Sequence, residues 1–109
     1  MTLEELITEL EKEDCNKVCR IGFNNPHSYR GYYDELAFEP TENVTIYDML
    51  ECANAALGNT YNGYKGGRYR MNGYTNVHLA YRGSSGQPLT KLSLAYMTGA
   101  HIDISEILV

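Results

Sequence analysis

The sequence predicts an α+β fold, a single small domain in which two helices pack on an antiparallel β-sheet. Apolar residues recur at helical spacing near residues 3–12 and 46–57. Segments rich in β-favouring residues, separated by glycine-containing turns, fill most of the remaining chain. A length of 109 residues provides apolar material for only one core.

The first helix is predicted over residues 3–12. Thr2 and Glu5 have the spacing of a capping box, in which each side chain satisfies a backbone amide at the start of a helix. The acidic side chains on its other face are interpreted as solvent-exposed. Its apolar stripe consists of Leu3, Leu6, Ile7 and Leu10.

The second helix has both start and end signals. Thr45 is the predicted N-cap, with Asp48 at the third helical position, and Gly58 is placed to end the helix in the left-handed conformation. The predicted buried stripe consists of Ile46, Met49, Leu50, Ala53 and Leu57.

Two strands are predicted between these helices. Residues 17–23 form the first, which the Asn-Asn-Pro sequence of residues 24–26 is expected to end. Residues 35–39 form a short second strand before Pro40. The residues between the two strands are expected to form a loop.

After the second helix the chain is predicted to be β-structure. Residues 77–81 alternate so that Val77, Leu79 and Tyr81 share one buried face, and residues 92–96 repeat the alternation. The sequence Gly-Ser-Ser-Gly-Gln-Pro between them is typical of a hairpin turn. The apolar residues 102–109 are expected to add a last strand or helical turn.

The formal net charge of −5 conceals an uneven distribution. No acidic residue lies between Glu51 and Asp103, a span that contains Lys65, Arg68, Arg70, Arg82 and Lys91. A basic half in an acidic protein suits a compact anion without making the chain a binder of nucleic acid polymers. A chance distribution of charge over exposed strands is the alternative.

Several classes of protein are disfavoured. No apolar run approaches the ~20 residues that span a bilayer, and the acidic N-terminal segment opposes a signal peptide, so a cytoplasmic location without a membrane partner is expected. The three cysteines lack the pairing of a zinc site, and the three histidines are scattered. Reduced thiols, no metal and no cofactor are therefore predicted.

The segment PHSYRGYYDELAFEP, residues 26–40, concentrates functional side chains. Arg30 offers a planar donor fork for phosphate oxygens. Tyr29, Tyr32 and Tyr33 offer flat faces for a nucleobase. The tyrosines could equally be packing residues of a well-bonded loop.

A second segment, YNGYKGGRYR at residues 61–70, repeats the theme. Its glycines allow backbone amides to approach an anion, and Lys65 and Arg68 supply positive charge. An exposed basic hairpin is the alternative. Arg82, which follows a predicted strand, is a third candidate anion contact.

Catalytic residues are harder to find. His27 with Asp34 or Glu35 could form an acid–base pair, but Ser28, like the other serines near glycines, lacks the context of an activated nucleophile. No catalytic residue is therefore predicted.

With NPHSYRGYYDELAFEP, TIYDMLECANAALG and YKGGRYRMNGYTNVHLAYRG in view, the chain resembles a family of small phage proteins, the Thoeris anti-defence proteins of the first type. The resemblance covers about residues 17–98. It implies a protein that binds a cyclic ADP-ribose isomer, the Thoeris immune signal, in the host cytoplasm without degrading it. It also implies a homodimer or higher homo-oligomer with interfacial pockets, and in some members binding of cyclic oligonucleotides.

Residue types and resemblance together predict non-catalytic binding of a cyclic ADP-ribose-type signal. A small nucleotide-cleaving enzyme that uses His27 and a protein–protein interaction module are the alternatives. The predicted ligand-binding residues are His27, Tyr29, Arg30, Tyr33, Lys65, Arg68 and Arg82.

Overall fold

A computed structural model describes residues 1–63 and 66–99 of the chain. The elements in chain order are α1 (Leu3–Glu11), β1 (Val18–Tyr29), β2 (Tyr32–Thr45), α2 (Ile46–Ala56), β3 (Thr60–Asn62), β4 (Arg68–Arg70), β5 (Val77–Leu79), β6 (Gln87–Pro88) and α3 (Lys91–Thr98). The α+β class is confirmed, with one helix more than was predicted. The strand or turn expected over residues 102–109 lies outside the described residues.

The main sheet has four strands in the order β1-β2-β5-β6. The β1–β2 and β5–β6 pairs are antiparallel, in keeping with the predicted antiparallel sheet, and β2 and β5 pair in parallel, so the sheet is mixed. A parallel pair needs a long crossover, which α2 and the separate β3–β4 hairpin provide.

The β1–β2 hairpin is longer than the sequence predicted, because the residues expected to form a loop belong to its strands. A β-bulge between Asn24 and His27 carries β1 past the Asn-Asn-Pro sequence, with Asn25 in the left-handed region at φ 47°. Pro26, which has no N–H to pair, lies within this bulge. Gly31, at φ 88°, closes the turn to Tyr32.

The predicted strand over residues 92–96 is wrong, because this segment is the helix α3. Thr90 caps it by accepting a hydrogen bond from the Ser93 amide at 3.2 Å, and Gly99 ends it in the left-handed conformation. The hairpin partner of β5 is instead the two-residue strand β6.

The helix caps at Thr2 and Thr45 and the left-handed Gly58 are confirmed. Of the predicted α2 stripe, Leu50 is only half-buried and Leu57 is exposed, since α2 ends before it. The one-sided burial of β5 is also wrong, because Val77 and the neighbouring His78 are both buried.

The core lies between the helices and the main sheet, where the rings of Phe23 and Phe38 are 4.5 Å apart. The three cysteines are free thiols. None of the described helices has the length and apolar composition needed to cross a membrane.

Candidate anion-binding groove

A groove of about 580 Å³ opens between the end of the β1–β2 hairpin, the turn after β5, and β3. We call it the anion-binding groove. The described residues that line it include no aspartate or glutamate; they are Pro26, His27, Ser28, Arg30, Thr60, Tyr61, Asn62, Gly63, Arg82 and Gly83. Its size lies within the range of small-molecule sites, which is about 300–1,000 Å³.

The bulge in β1 presents His27 to the groove. The His27 Nδ1 atom lies 3.0 Å from the carbonyl oxygen of Asn25. Because a carbonyl only accepts, Nδ1 carries the proton, and a neutral His27 has its acceptor at Nε2. This Nε2 is buried and has no hydrogen-bond partner among the described residues.

Arg30 connects the hairpin to the turn after β5. Its Nη1 atom donates to the carbonyl oxygen of Gly83 at 2.6 Å. Gly83 is left-handed at φ 81°, and the Ser84 amide closes the turn on the carbonyl of Tyr81. Arg30 therefore builds the groove wall through at least one of its donors.

Arg82 is exposed at the same turn, and its guanidinium makes no hydrogen bond to a residue that the structure describes. Its backbone amide donates to Glu39 Oε1 at 3.3 Å, and Asn25 Nδ2 donates to Glu39 Oε2 at 3.1 Å. The hydrogen bond from Asn25 lowers the pKa of Glu39, assisted by the Arg82 amide and the nearby positive charges. Glu39 is thus a carboxylate that connects Asn25 of the β1 bulge to the backbone of Arg82.

The opposite wall is β3, which contributes Thr60, Tyr61 and Asn62 to the lining, with Tyr61 also packed against the core. Tyr61 is half-buried, and its burial raises the pKa of its hydroxyl, so the hydroxyl stays protonated at neutral pH. Asn62 is the exposed neighbour. The segment YNGYKGGRYR is predicted to contribute cations, whereas its described residues that line the groove are Tyr61, Asn62 and Gly63.

Tyr33 seats the β3–β4 hairpin instead of lining the groove. A Cβ atom added at Gly63 would lie 2.5 Å from Tyr33 Cβ, and one added at Gly67 would lie 3.0 Å from Tyr33 Cγ. The ring also makes an edge contact with Tyr69, at 6.1 Å between centroids. Tyr33 and the two glycines therefore pack without space for a side chain between them.

Of the seven predicted ligand-binding residues, the structure brings His27, Arg30 and Arg82 together. Tyr29 is buried elsewhere: its ring stacks on His78 at 4.0 Å and its hydroxyl bonds the backbone of Gly86. Tyr33 packs against the β3–β4 hairpin and does not line the groove. Arg68 is exposed on β4 and is not among the lining residues, and Lys65 lies outside the described residues.

Sequence reasoning missed Tyr61 and Asn62. Their only signal was the neighbouring glycine-rich turn, because nothing local shows that β3 faces β1.

The acid–base pair considered for catalysis is not assembled. Glu35 Oε1 lies 3.8 Å from Nε2 of His78, not against His27. Asp34 and Glu35 line a different groove with Tyr69 and Tyr74.

Comparisons with protein-family models, with curated proteins and with solved structures find no match. The function is therefore inferred from the groove itself.

Proposed function

We propose that the protein binds a cyclic ADP-ribose isomer in the anion-binding groove and sequesters it intact, which would counter a Thoeris defence during phage infection. The observation that carries the proposal is the groove lining, which includes two arginines, a histidine and a tyrosine and has no acidic side chain among its described residues. Such a lining favours a small molecule with both negative charge and a flat base.

Arg82 is the main contact for the pyrophosphate in this proposal. Its guanidinium donates charge-assisted hydrogen bonds, which are stronger than those between neutral groups. His27 and the Arg30-supported turn complete this side of the groove. Tyr61 on the opposite wall offers a surface on which adenine can stack.

Release of an intact ligand is supported by the local hydrogen bonds. The Ser28 hydroxyl donates to the carbonyl oxygen of Tyr33 at 3.3 Å, so its proton is not directed at an imidazole base. The Nε2 atom of His27 is buried and accepts no hydrogen bond from a hydroxyl or thiol of the described residues. These residues bind the ground state and place no activated nucleophile against it.

The proposal is tested by calorimetric titration with the cyclic ADP-ribose isomer made by an activated Thoeris system. Arg82→Ala removes a charge-assisted contact and should weaken binding by roughly 1.5–3 kcal/mol. Arg20→Ala is the matched control, because Arg20 is an exposed arginine of β1 that lines a different groove. Equal affinities of wild type and Arg82→Ala would contradict the assignment of the site.

Heat release then separates sequestration from cleavage. The complex is freed of unbound ligand and denatured, and the nucleotide is identified by mass spectrometry. Intact cyclic nucleotide is expected. Linear ADP-ribose that disappears in His27→Ala would instead support the nucleotide-cleaving enzyme, and failure to bind any cyclic nucleotide would leave the exposed tyrosines as a protein-binding surface.

A further inference from the structure

Glu39 connects two walls of the anion-binding groove although it does not line it. Its Oε2 accepts from the side chain of Asn25, which begins the bulge that carries His27. Its Oε1 accepts from the backbone amide of Arg82 at the turn after β5. One carboxylate on β2 thus holds the two segments that bring His27 and Arg82 to the groove.

A negatively charged carboxylate in this position repels an anionic ligand and therefore disfavours its binding. Glu39 lies close enough to Arg82 for the positive charge of the guanidinium to lower the pKa of Glu39, so the charge of Glu39 weakens the positive potential that Arg82 produces. If charge were its only effect, removing Glu39 would strengthen anion binding. A benefit from Glu39 must therefore come from geometry.

We propose that Glu39 is a positioning residue of the groove, which fixes the Asn25 bulge and the Arg82 turn at the separation that an anionic ligand requires. The inference rests on the proposed anion binding in this groove. Small displacements of groups that contact a ligand have large effects, and residues behind a site commonly set that geometry.

The direction in which Glu39→Ala changes the affinity for an anion distinguishes a positioning role from a purely electrostatic one. Inorganic pyrophosphate is the probe, titrated calorimetrically into wild type and Glu39→Ala. Loss of the two hydrogen bonds should lower the affinity by about tenfold, which corresponds to about 1.4 kcal/mol. A purely electrostatic role would raise the affinity instead.

Asn25→Gly provides an independent arm. Glycine tolerates the left-handed φ of 47° at this position, so the substitution removes the amide contact to Glu39 and keeps the carbonyl that accepts from His27. It should weaken pyrophosphate binding. The affinity of the double variant, Asn25→Gly with Glu39→Ala, should lie within about twofold of the affinity of Glu39→Ala, because both changes break the same connection.

Glu51→Ala is the control, since Glu51 is an exposed glutamate of α2 that does not line the anion-binding groove. It should leave the affinity unchanged. Amide hydrogen exchange in the absence of ligand adds a second readout: Glu39→Ala should speed exchange at the Arg82 amide without changing exchange in α2. A Glu39→Ala protein that is folded and binds pyrophosphate as tightly as wild type, or more tightly, overturns the inference.

Failure of the proposed function has a different signature. If wild type binds pyrophosphate but not the cyclic ADP-ribose isomer, and Glu39→Ala still weakens pyrophosphate binding, the nucleotide assignment is wrong and the positioning role stands. If wild type does not bind pyrophosphate, the groove is not an anion site and both conclusions are overturned.

Discussion

His78 is a buried histidine whose protonation opposes folding. Only 9% of the residue is exposed, and its ring is sandwiched against Tyr29 at 4.0 Å with 9° between the ring planes. Burial lowers the pKa of His78, and the nearby Glu35 carboxylate only partly counteracts this effect. The unfolded chain, in which the pKa is about 6.5, therefore takes up the proton more readily than the folded protein.

The stability contribution of neutral His78 is complete above pH ~6.5 and is lost as the pH falls from there toward the lower folded pKa. We expect the urea midpoint of the wild type to decrease when the pH is lowered from 7.5 to 5.0, and the urea midpoint of His78→Gln to decrease less. Glu35→Gln should show a larger decrease than the wild type, because it removes the negative charge that favours protonation of His78. Equal falls in wild type and His78→Gln would exclude His78 as the cause.

Carboxylates contribute in a separate, more acidic window. Hydrogen bonds that Thr2 donates to the Glu5 carboxylate lower the pKa of Glu5, and the one that Asn25 donates lowers the pKa of Glu39. A lowered carboxyl pKa gives stability that is lost only as the pH falls below the unfolded value of about 4.3. The pH 7.5 to 5.0 comparison therefore isolates the histidine.

Residue types alone identified three of the groove residues. His27, Arg30 and Arg82 were predicted because cationic and imidazole side chains near glycine turns are typical of anion contacts. Tyr29 is of a residue type that can contact a ligand, but its ring stacks on His78 instead. His78 lies on β5, which joins the hairpin through the parallel pairing with β2. No local pattern in the hairpin could reveal that packing.

At the scale of elements, the β3–β4 hairpin is held against β2 by close packing at glycine. Gly63→Ala would place a Cβ atom 2.5 Å from Tyr33 Cβ and 3.1 Å from the carbonyl oxygen of Gly67, so the hairpin must shift. We expect a loss of roughly 1–3 kcal/mol of stability and weaker nucleotide binding, because the β3 wall moves with the hairpin.

Gly73→Ala is the control for this substitution. The nearest atom to its added Cβ is Glu4 Oε2 at 3.2 Å, the end of a side chain that can move. Its urea midpoint and nucleotide affinity should stay close to those of wild type. A Gly63→Ala protein that matches Gly73→Ala in both measurements would show that Tyr33 does not constrain the hairpin.

The third helix shows why alternation alone misled. Leu92, Leu94 and Tyr96 alternate like a strand, yet Leu92 and Tyr96 are exposed, whereas Leu94 and Thr98, four residues apart, are buried. Capping residues lie at both ends of this helix, Thr90 at the start and Gly99 at the end. The caps of α1 and α2 were recognised from the same chemistry, because there it coincided with a helical apolar stripe.

Thr90→Ala tests the cap of α3. It removes the hydroxyl that accepts from the Ser93 amide and should cost about 1 kcal/mol of unfolding free energy. Thr8→Ala, at an exposed position inside α1, should instead be neutral or slightly stabilising, because alanine is the better helix former there. Chemical denaturation measures both, and equal unfolding free energies of Thr90→Ala and wild type would argue against the cap.

At the scale of the whole molecule, local patterns predicted the α+β class but not the arrangement of the sheet. The β2–β5 pairing joins segments separated by α2 and the β3–β4 hairpin, and the bulge at Asn25 extends β1 beyond its apparent end. Both features depend on contacts that are distant in sequence. The groove depends on them as well, since its walls come from three separate segments.

One side of the molecule exposes apolar groups that a second copy could cover. Ile21, 45% exposed, lies on β1, which is an edge strand of the described sheet. Ile21 shares a groove of about 500 Å³ with Tyr96 and Met97 of α3. A domain of this size has a modest core, and burial of such a surface in an oligomer would add to its stability.

We therefore expect light scattering of a dilute sample to give a mass above the 12.3 kDa of one chain. Ile21→Asp places a charge on the apolar side and should shift the protein toward the monomer, whereas Tyr47→Asp, at an exposed site of α2, should not. A monomeric wild type at micromolar concentration contradicts the oligomer, and an oligomer that survives Ile21→Asp contradicts this face. If the monomeric variant still binds the nucleotide with wild-type affinity, the groove is complete within one chain, because every residue proposed to contact the ligand then comes from the same copy.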